Sequence, residues 1–190
     1  KLNKIESKGE NKLYEVYRLL NQNGIYYGEA KNYYREGKGI QYTQNKIVEG
    51  IWRNDDISKG EISREKYLYR GLIQKEEENG EGIAFYENKG TYKGEFKNSL
   101  RNGNGTMTYN NGSEYIGDWQ NDKRSGKGKL TYKGSVFETY EGDWYDDKRN
   151  GFGILKSPNG SVYSGNFKNG LYHGKGNFTW TFQNNNNEKA

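Results

Sequence analysis

Apolar and polar residues alternate along most of the chain, in short runs separated by turn residues. In 105–119 Met107 and Tyr109 alternate with Thr106 and Thr108, then Asn110-Asn111-Gly112 intervenes. After it Tyr115, Gly117 and Trp119 alternate with Glu114, Ile116 and Asp118. Alternation with period two on either side of a glycine turn predicts a β-hairpin. The same pattern joins Leu130 and Tyr132 to Tyr140 and Trp144, and Leu155 to Tyr163 and Phe167. Each predicted hairpin has one face of aromatics and glycine and one polar face.

The hairpins recur in step. Aromatic-x-Gly-x-aromatic reads YKGEF at 92–96, YIGDW at 115–119, YEGDW at 140–144 and YSGNF at 163–167, and three degenerate forms bring the total to seven. Their central glycines are Gly28, Gly50, Gly71, Gly94, Gly117, Gly142 and Gly165, spaced 22, 21, 23, 23, 25 and 23 residues apart. A Gly-x-Gly pair begins nine residues after that glycine in six repeats, at Gly37, Gly80, Gly103, Gly126, Gly151 and Gly174. In the exception Ser58 is read as standing for the first glycine, with Gly60 kept. A period in the low twenties marks an array of small units that touch mainly their neighbours.

The fold class expected is therefore all-β: an elongated, twisted, single-layer antiparallel sheet of about seven tandem hairpins. The repeats start near residues 26, 48, 69, 92, 115, 140 and 163. The array is expected over 14–182, with a strand at 14–20 pairing with 26–30. A poorly ordered segment is expected at 1–13 and an Asn-rich flexible tail at 183–190. The central glycine lies between two aromatics on one face, as Gly117 does between Tyr115 and Trp119, or Gly142 between Tyr140 and Trp144. Without a Cβ it leaves a slot for a ring. A sheet with a single layer of rings is expected either to curl enough to bury them or to carry a partner element lying on it, because ordinary domains bury such a face under a second layer.

Composition narrows the function classes. Only 31% of the 190 residues are hydrophobic, but the strict period argues against disorder. Net charge is +5, too mild for a nucleic-acid-binding arm, so no nucleic acid is expected. There is no cysteine and one histidine, His173, which is too little for the usual metal site or a nucleophile–histidine pair. The Gly-x-Gly pairs precede strands rather than helices, so they are not phosphate loops. The carboxylates Glu29, Glu95, Asp118 and Asp143 recur with the array and read as a solvated row. No catalytic, cofactor-binding or metal-ligating residue is nominated, and neither a cofactor nor a small-molecule substrate is expected.

Y-x-G-x-W, nine residues from glycine to Gly-x-Gly and a period of about 23 resemble the MORN repeat. The resemblance implies a role in scaffolds or membrane contacts, as in radial-spoke heads, membrane junctions and parasite cytoskeletons. A non-enzymatic cytoskeletal or ciliary scaffold is expected, cytoplasmic and held among other proteins of a larger assembly. The alternative is a peripheral module that binds anionic phospholipid.

Two surfaces are candidates for contact. Arg35, Arg101, Arg124 and Arg149 each lie two residues before a Gly-x-Gly, with Lys123 and Lys148 beside two of them. They are expected to form an exposed basic edge, dispensable for folding and open to lipid phosphate or an acidic partner. The second surface is the end of the array, where Phe178, Trp180 and Phe182 share a face of an uncompleted repeat. It is expected to be a docking edge for a partner or for homodimerisation.

Overall fold

A computed structural model describes the backbone of residues 2–7, 14–21, 24–134 and 138–181, and the side chains of 24–134 and 138–181. Two compact units divide the chain, Lys1–Leu100 and Arg101–Ala190. The first holds β1 (Leu2–Ser7), β2 (Tyr14–Asn21), β3 (Gly24–Lys31), β4 (Tyr34–Tyr42), β5 (Ile47–Arg53), β6 (Asp56–Arg64), β7 (Tyr67–Gln74), β8 (Glu77–Tyr86) and β9 (Gly90–Lys97). The second holds β10 (Leu100–Tyr109), β11 (Glu114–Gln120), β12 (Lys123–Tyr132), β13 (Glu138–Tyr145), β14 (Lys148–Lys156), β15 (Val162–Lys168) and β16 (Leu171–Thr179). Within each unit the strands lie in chain order, each antiparallel to the one before it, in an open single layer. The described residues contain no helix.

The predicted hairpins are present, and β2 pairs with β3 as expected. Ahead of them lies a strand that the reading of 1–13 did not anticipate: Leu2–Ser7 pairs with β2, with Leu2 opposite Leu19 and Ser7 opposite Tyr14. The rest of that segment, the tail at 183–190 and Phe182 lie outside the described residues.

Glycines of the two motifs meet across the strands. In the first unit the register runs Gly28, Gly39, Gly50, Gly60, Gly71, Gly82, Gly94, each opposite the next. In the second it runs Gly105, Gly117, Gly128, Gly142, Gly153, Gly165, Gly176. Each unit is thus crossed at right angles to its strands by a row of residues that lack a Cβ. The tyrosine that opens six of the seven motifs lies down on this row. A Cβ at Gly128 would run into the hydroxyl and ring of Tyr115, and one at Gly153 into Tyr140. The hydroxyl reaches across and donates to the carbonyl three residues on: Tyr115 to Asp118 at 3.0 Å, Tyr140 to Asp143 at 2.8 Å, Tyr163 to Asn166 at 3.1 Å. Tyr26, Tyr69 and Tyr92 do the same in the first unit.

Rings then pack on rings. In the second unit Trp119, Tyr115, Trp144, Tyr140, Phe167 and Tyr163 form a chain of edge-to-face contacts, with centroids 5.1–5.3 Å apart and planes crossing at 85–89°. That geometry suits the aromatic quadrupole. The indole N–H of Trp144 donates to the Gly128 carbonyl at 3.0 Å, and that of Trp52 to Gly39 at 3.0 Å. Tyr26, Tyr69, Tyr92, Tyr115 and Tyr140 are left 0% exposed. Neither curling of the sheet nor a covering partner element is therefore required to bury these rings. The rings lie flat on glycine and bury one another, so a single layer suffices.

The opposite face is not uniformly polar. Ile51, Leu72, Ile116, Phe152 and Ile154 are exposed on it.

Repeat two shows how the pattern bends. In β11–β12 one strand advances two residues between paired positions and the other four, from Gly117↔Gly128 to Trp119↔Arg124. In β5–β6 the second advance is three, from Gly50↔Gly60 to Trp52↔Ile57. Ser58 therefore corresponds to Ser125, and the residue deleted is the counterpart of Gly126, which holds φ at +59°. Val48 replaces the tyrosine there, and the Ile57 side chain lies against Gly50 and Gly60 in place of the ring.

Replacing Gly128 by alanine is expected to lower stability by ~1–3 kcal/mol, the usual range for overpacking. Gly134→Ala, where a Cβ meets nothing within 4 Å, is the control. Thermal unfolding of the two variants checks it, and equal melting temperatures would show that the tyrosine does not need the bare backbone.

Candidate functional site

The arginine row is the most regular polar feature, and it is built from the turns. Strands β11 and β12 are joined by Asn121-Asp122, with φ at +49° and +67°; Asn54-Asp55 and Asp146-Asp147 join their strands in the same way. Two successive left-handed residues make the tight hairpin turn that matches strand twist, and Asn and Asp tolerate it best. The second turn residue faces back to the arginine of the repeat before.

That residue and its arginine are joined at four points. The Asp122 N–H donates to the Arg101 carbonyl at 3.0 Å. Asp122 Oδ1 accepts from Arg101 N and Nε, both at 2.9 Å, and the Asp122 carbonyl accepts from Nη2 at 2.7 Å. Arg124 and Asp147 repeat the set at 3.1, 3.0, 2.9 and 2.8 Å. So do Arg35 and Asp55, at 3.1, 2.7, 3.2 and 2.7 Å. Arg149 meets Gly170, which has no carboxylate, and keeps only the backbone bonds. Each guanidinium also lies on an aromatic ring of the following repeat. Arg35 is 4.0 Å from the Trp52 ring, Arg101 4.1 Å from Trp119, Arg124 4.3 Å from Trp144 and Arg149 5.3 Å from Phe167.

These residues do not form an exposed basic edge. The Arg101 side chain is 4% exposed, and the other three are mostly covered. The sequence shows the spacing of the arginines but not that the next turn supplies their counter-charge. The Asn-Asp and Asp-Asp dipeptides carried that signal. Of the two lysines, Lys123 pairs with Asp146 at the surface, and Lys148 is exposed. The carboxylate row also has a structural task. Asp118 Oδ2 accepts the Lys127 N–H and Asp143 Oδ2 the Phe152 N–H, both at 2.9 Å, which ties down each bulge.

Repeat three inverts the charge. Glu78 occupies the arginine's place, two residues before Gly80, and is completely buried. Arg64 and Ser99, the latter on the next turn, both donate to its carboxylate. Burial alone would raise its pKa, but these hydrogen bonds hold it below the ordinary value. Its position in the run Glu76-Glu77-Glu78 was legible; its burial was not. Glu76, on the turn between β7 and β8, accepts from Arg35 Nη1 at 2.7 Å.

At the far end, β16 pairs among the described residues only with β15 and is exposed along its whole length. Phe178 stacks with Trp180 at 4.1 Å, and Tyr172, in the arginine's place, lies 4.3 Å from Tyr163. Phe178 and Trp180 are thus together, as the sequence predicts. Among the described residues no group of acidic or histidine side chains is placed to hold a metal ion.

The MORN repeat family matches this chain at four consecutive units, residues 92–114, 115–135, 140–162 and 163–181. The chain is a MORN-repeat protein, and β3–β8 carry the same glycine row and turn clasps ahead of the matched units. No curated protein matches it.

Two outcomes are expected from the clasp and the rings. Arg101→Gln should lower stability by at least ~1–2 kcal/mol, since the stacking alone contributes about that much at a covered site. An unchanged melting temperature would restore the dispensable edge. Burial, with Asp143 nearby, pushes the Tyr140 hydroxyl from 10.0 up to about 12, and Tyr26, Tyr69 and Tyr115 move in the same direction. A raised folded pKa means stability that is complete below pH 10 and is lost as pH rises toward 12. In an alkaline titration the last part of the tyrosinate absorbance should rise together with the loss of β-sheet circular dichroism, because exposed rings such as Tyr33 and Tyr145 can ionise without unfolding. Full tyrosinate absorbance with the sheet intact would contradict the burial.

Proposed function

We propose that the chain is a non-enzymatic scaffold that holds other proteins in a cytoskeletal or ciliary assembly. The observation that carries this reading is the clasp between repeats. Four turns are fastened to an arginine of the preceding repeat and a fifth to Glu78, and with the rings burying one another the sheet needs no second layer. Its outer face, with Ile51, Leu72, Ile116 and Phe152, is left free for contact. A stiff array with a periodic exposed surface suits the positioning of partners rather than the enclosure of a substrate.

The lipid reading drew on the arginines, and their charges already face Asp55, Asp122, Asp147 and, for Arg149, Glu138 at 3.8 Å. Of the nominated cations, Lys148 is left to meet a phosphate without a described counter-ion competing. Proximity labelling in the source cell, with liposome flotation beside it, tests the proposal. The expected outcome is a reproducible set of cytoskeletal or ciliary proteins and no flotation. Flotation that follows anionic lipid content and weakens with salt would replace the scaffold with the membrane module.

A further inference from the structure

We propose that the clasp at Arg149 receives a carboxylate from outside the array, the Asp or Glu side chain of an acidic segment in a partner protein. In the three complete clasps the turn aspartate has two tasks. Its backbone bonds to the carbonyl and to Nη2 of the arginine. Its Oδ1 accepts from the arginine's N and Nε together. At Arg149 only the backbone half is built. The Gly170 N–H donates to the Arg149 carbonyl at 2.9 Å, and Nη2 donates to the Gly170 carbonyl at 3.1 Å. The guanidinium is held as its counterparts are, 5.7 Å from the Tyr140 ring as Arg124 is from Tyr115. Gly170 supplies no oxygen for N and Nε.

The approach to those two donors is open. A Cβ at Gly170 would meet nothing within 4 Å, so nothing described crowds the side where Asp122 and Asp147 carry their side chains. The cation next in sequence stands in the same condition. Lys123 pairs with Asp146, the first residue of the following turn. For Lys148 that residue is Asn169, and both are exposed. Two carboxylates thus answer Lys123 and Arg124, while Asn169 and Gly170 offer Lys148 and Arg149 none. Glu138 comes within 3.8 Å of Arg149 Nη1, a different nitrogen from the two that await an acceptor.

The other clasps also specify the ligand. A backbone N–H and an Nε–H that converge on one carboxylate oxygen are what Arg35, Arg101 and Arg124 present to aspartate. Charge-assisted bonds of this kind are stronger than neutral ones. Two neighbouring cations match two neighbouring acidic side chains. A single carboxylate at an open surface site gains little by itself, so the ligand that can use this site is one carried on a chain with further contacts. The proposal deepens the scaffold reading and rests on it for the existence of a partner; the geometry of the site stands without it.

The test is NMR of the whole, isotope-labelled chain, titrated with sodium acetate against chloride at constant ionic strength. The backbone and Nε resonances of Arg149 should shift and saturate. Those of Arg101 and Arg124, whose places are filled by Asp122 and Asp147, should not. The probe acetyl-Asp-Asp-amide should bind several-fold tighter than acetate, acetyl-Asn-Asn-amide should give no shift, and Lys148→Gln should remove the advantage of the acidic dipeptide. Gly170→Asp supplies the carboxylate from within, at a turn position where Asp122 and Asp147 already hold positive φ. It should abolish both responses and melt several degrees above Gly170→Ala, which shares the backbone conformation and carries no charge. No saturable shift at Arg149, equal shifts at Arg101 and Arg124, a response that survives Gly170→Asp, or tighter binding of inorganic phosphate than of acetate would each overturn the site. A dipeptide that binds no tighter than acetate would overturn the assignment to a protein side chain. Binding of the dipeptide without labelled partners in the source cell would count against the scaffold reading alone. Labelled partners around a chain that ignores both probes would count against this site alone.

Discussion

A tyrosine ring lying on bare backbone is the contact on which the fold depends. Ordinary sheets bury one face under a second sheet or a helix, because side chains standing upright leave their ends in water. Here the ring lies over the glycine row and ties its hydroxyl to a carbonyl in its own strand. That removes most of the ring from water without a second layer. It also frees the ring's edges to meet the tryptophan or phenylalanine of the adjoining units, so burial in one repeat requires its neighbour.

The polar clasps follow from the same arrangement. A large aromatic at the end of the motif presents a flat face that the preceding repeat can cover. Arginine does this better than lysine, since its planar head stacks while its N–H groups stay free for the turn beyond. The aspartate on that turn then meets both the guanidinium and the backbone N–H of the same residue. Each interface between repeats thus combines an apolar contact and a directional one, and the directional one fixes the spacing.

The sequence made the strands, the period and the identity of the buried rings legible, because Tyr, Gly and Trp at spacing two leave few alternatives. It misled on the arginines. Two residues before a glycine pair is a position in the chain, and nothing local in it shows that a turn some twenty residues later bends back to meet it. Lone aromatics likewise suggested a face in need of cover, since their tilt onto glycine is a three-dimensional fact. Ser58 was misread for a related reason: a deletion and a substitution look alike until the register of both strands is known. Glu78 was within reach, because it stands in the arginine's place in an otherwise regular pattern.

The inverted clasp at Glu78 bears on how such a chain finds its own alignment. Near-identical units have no landmarks, and a stretch of chain that docks one unit out of step still meets glycine with glycine and ring with ring. Three turns carry an aspartate at the clasping position, Asp55, Asp122 and Asp147, and a fourth carries Glu76. One of these placed against Glu78 would bury two carboxylates face to face, whereas Ser99 offers a hydroxyl. An arginine slot offered to Ser99 would in turn lose its counter-charge. The irregular repeat therefore works as a key among similar locks: it adds nothing to the pattern, and by refusing the pattern it allows one alignment of the whole.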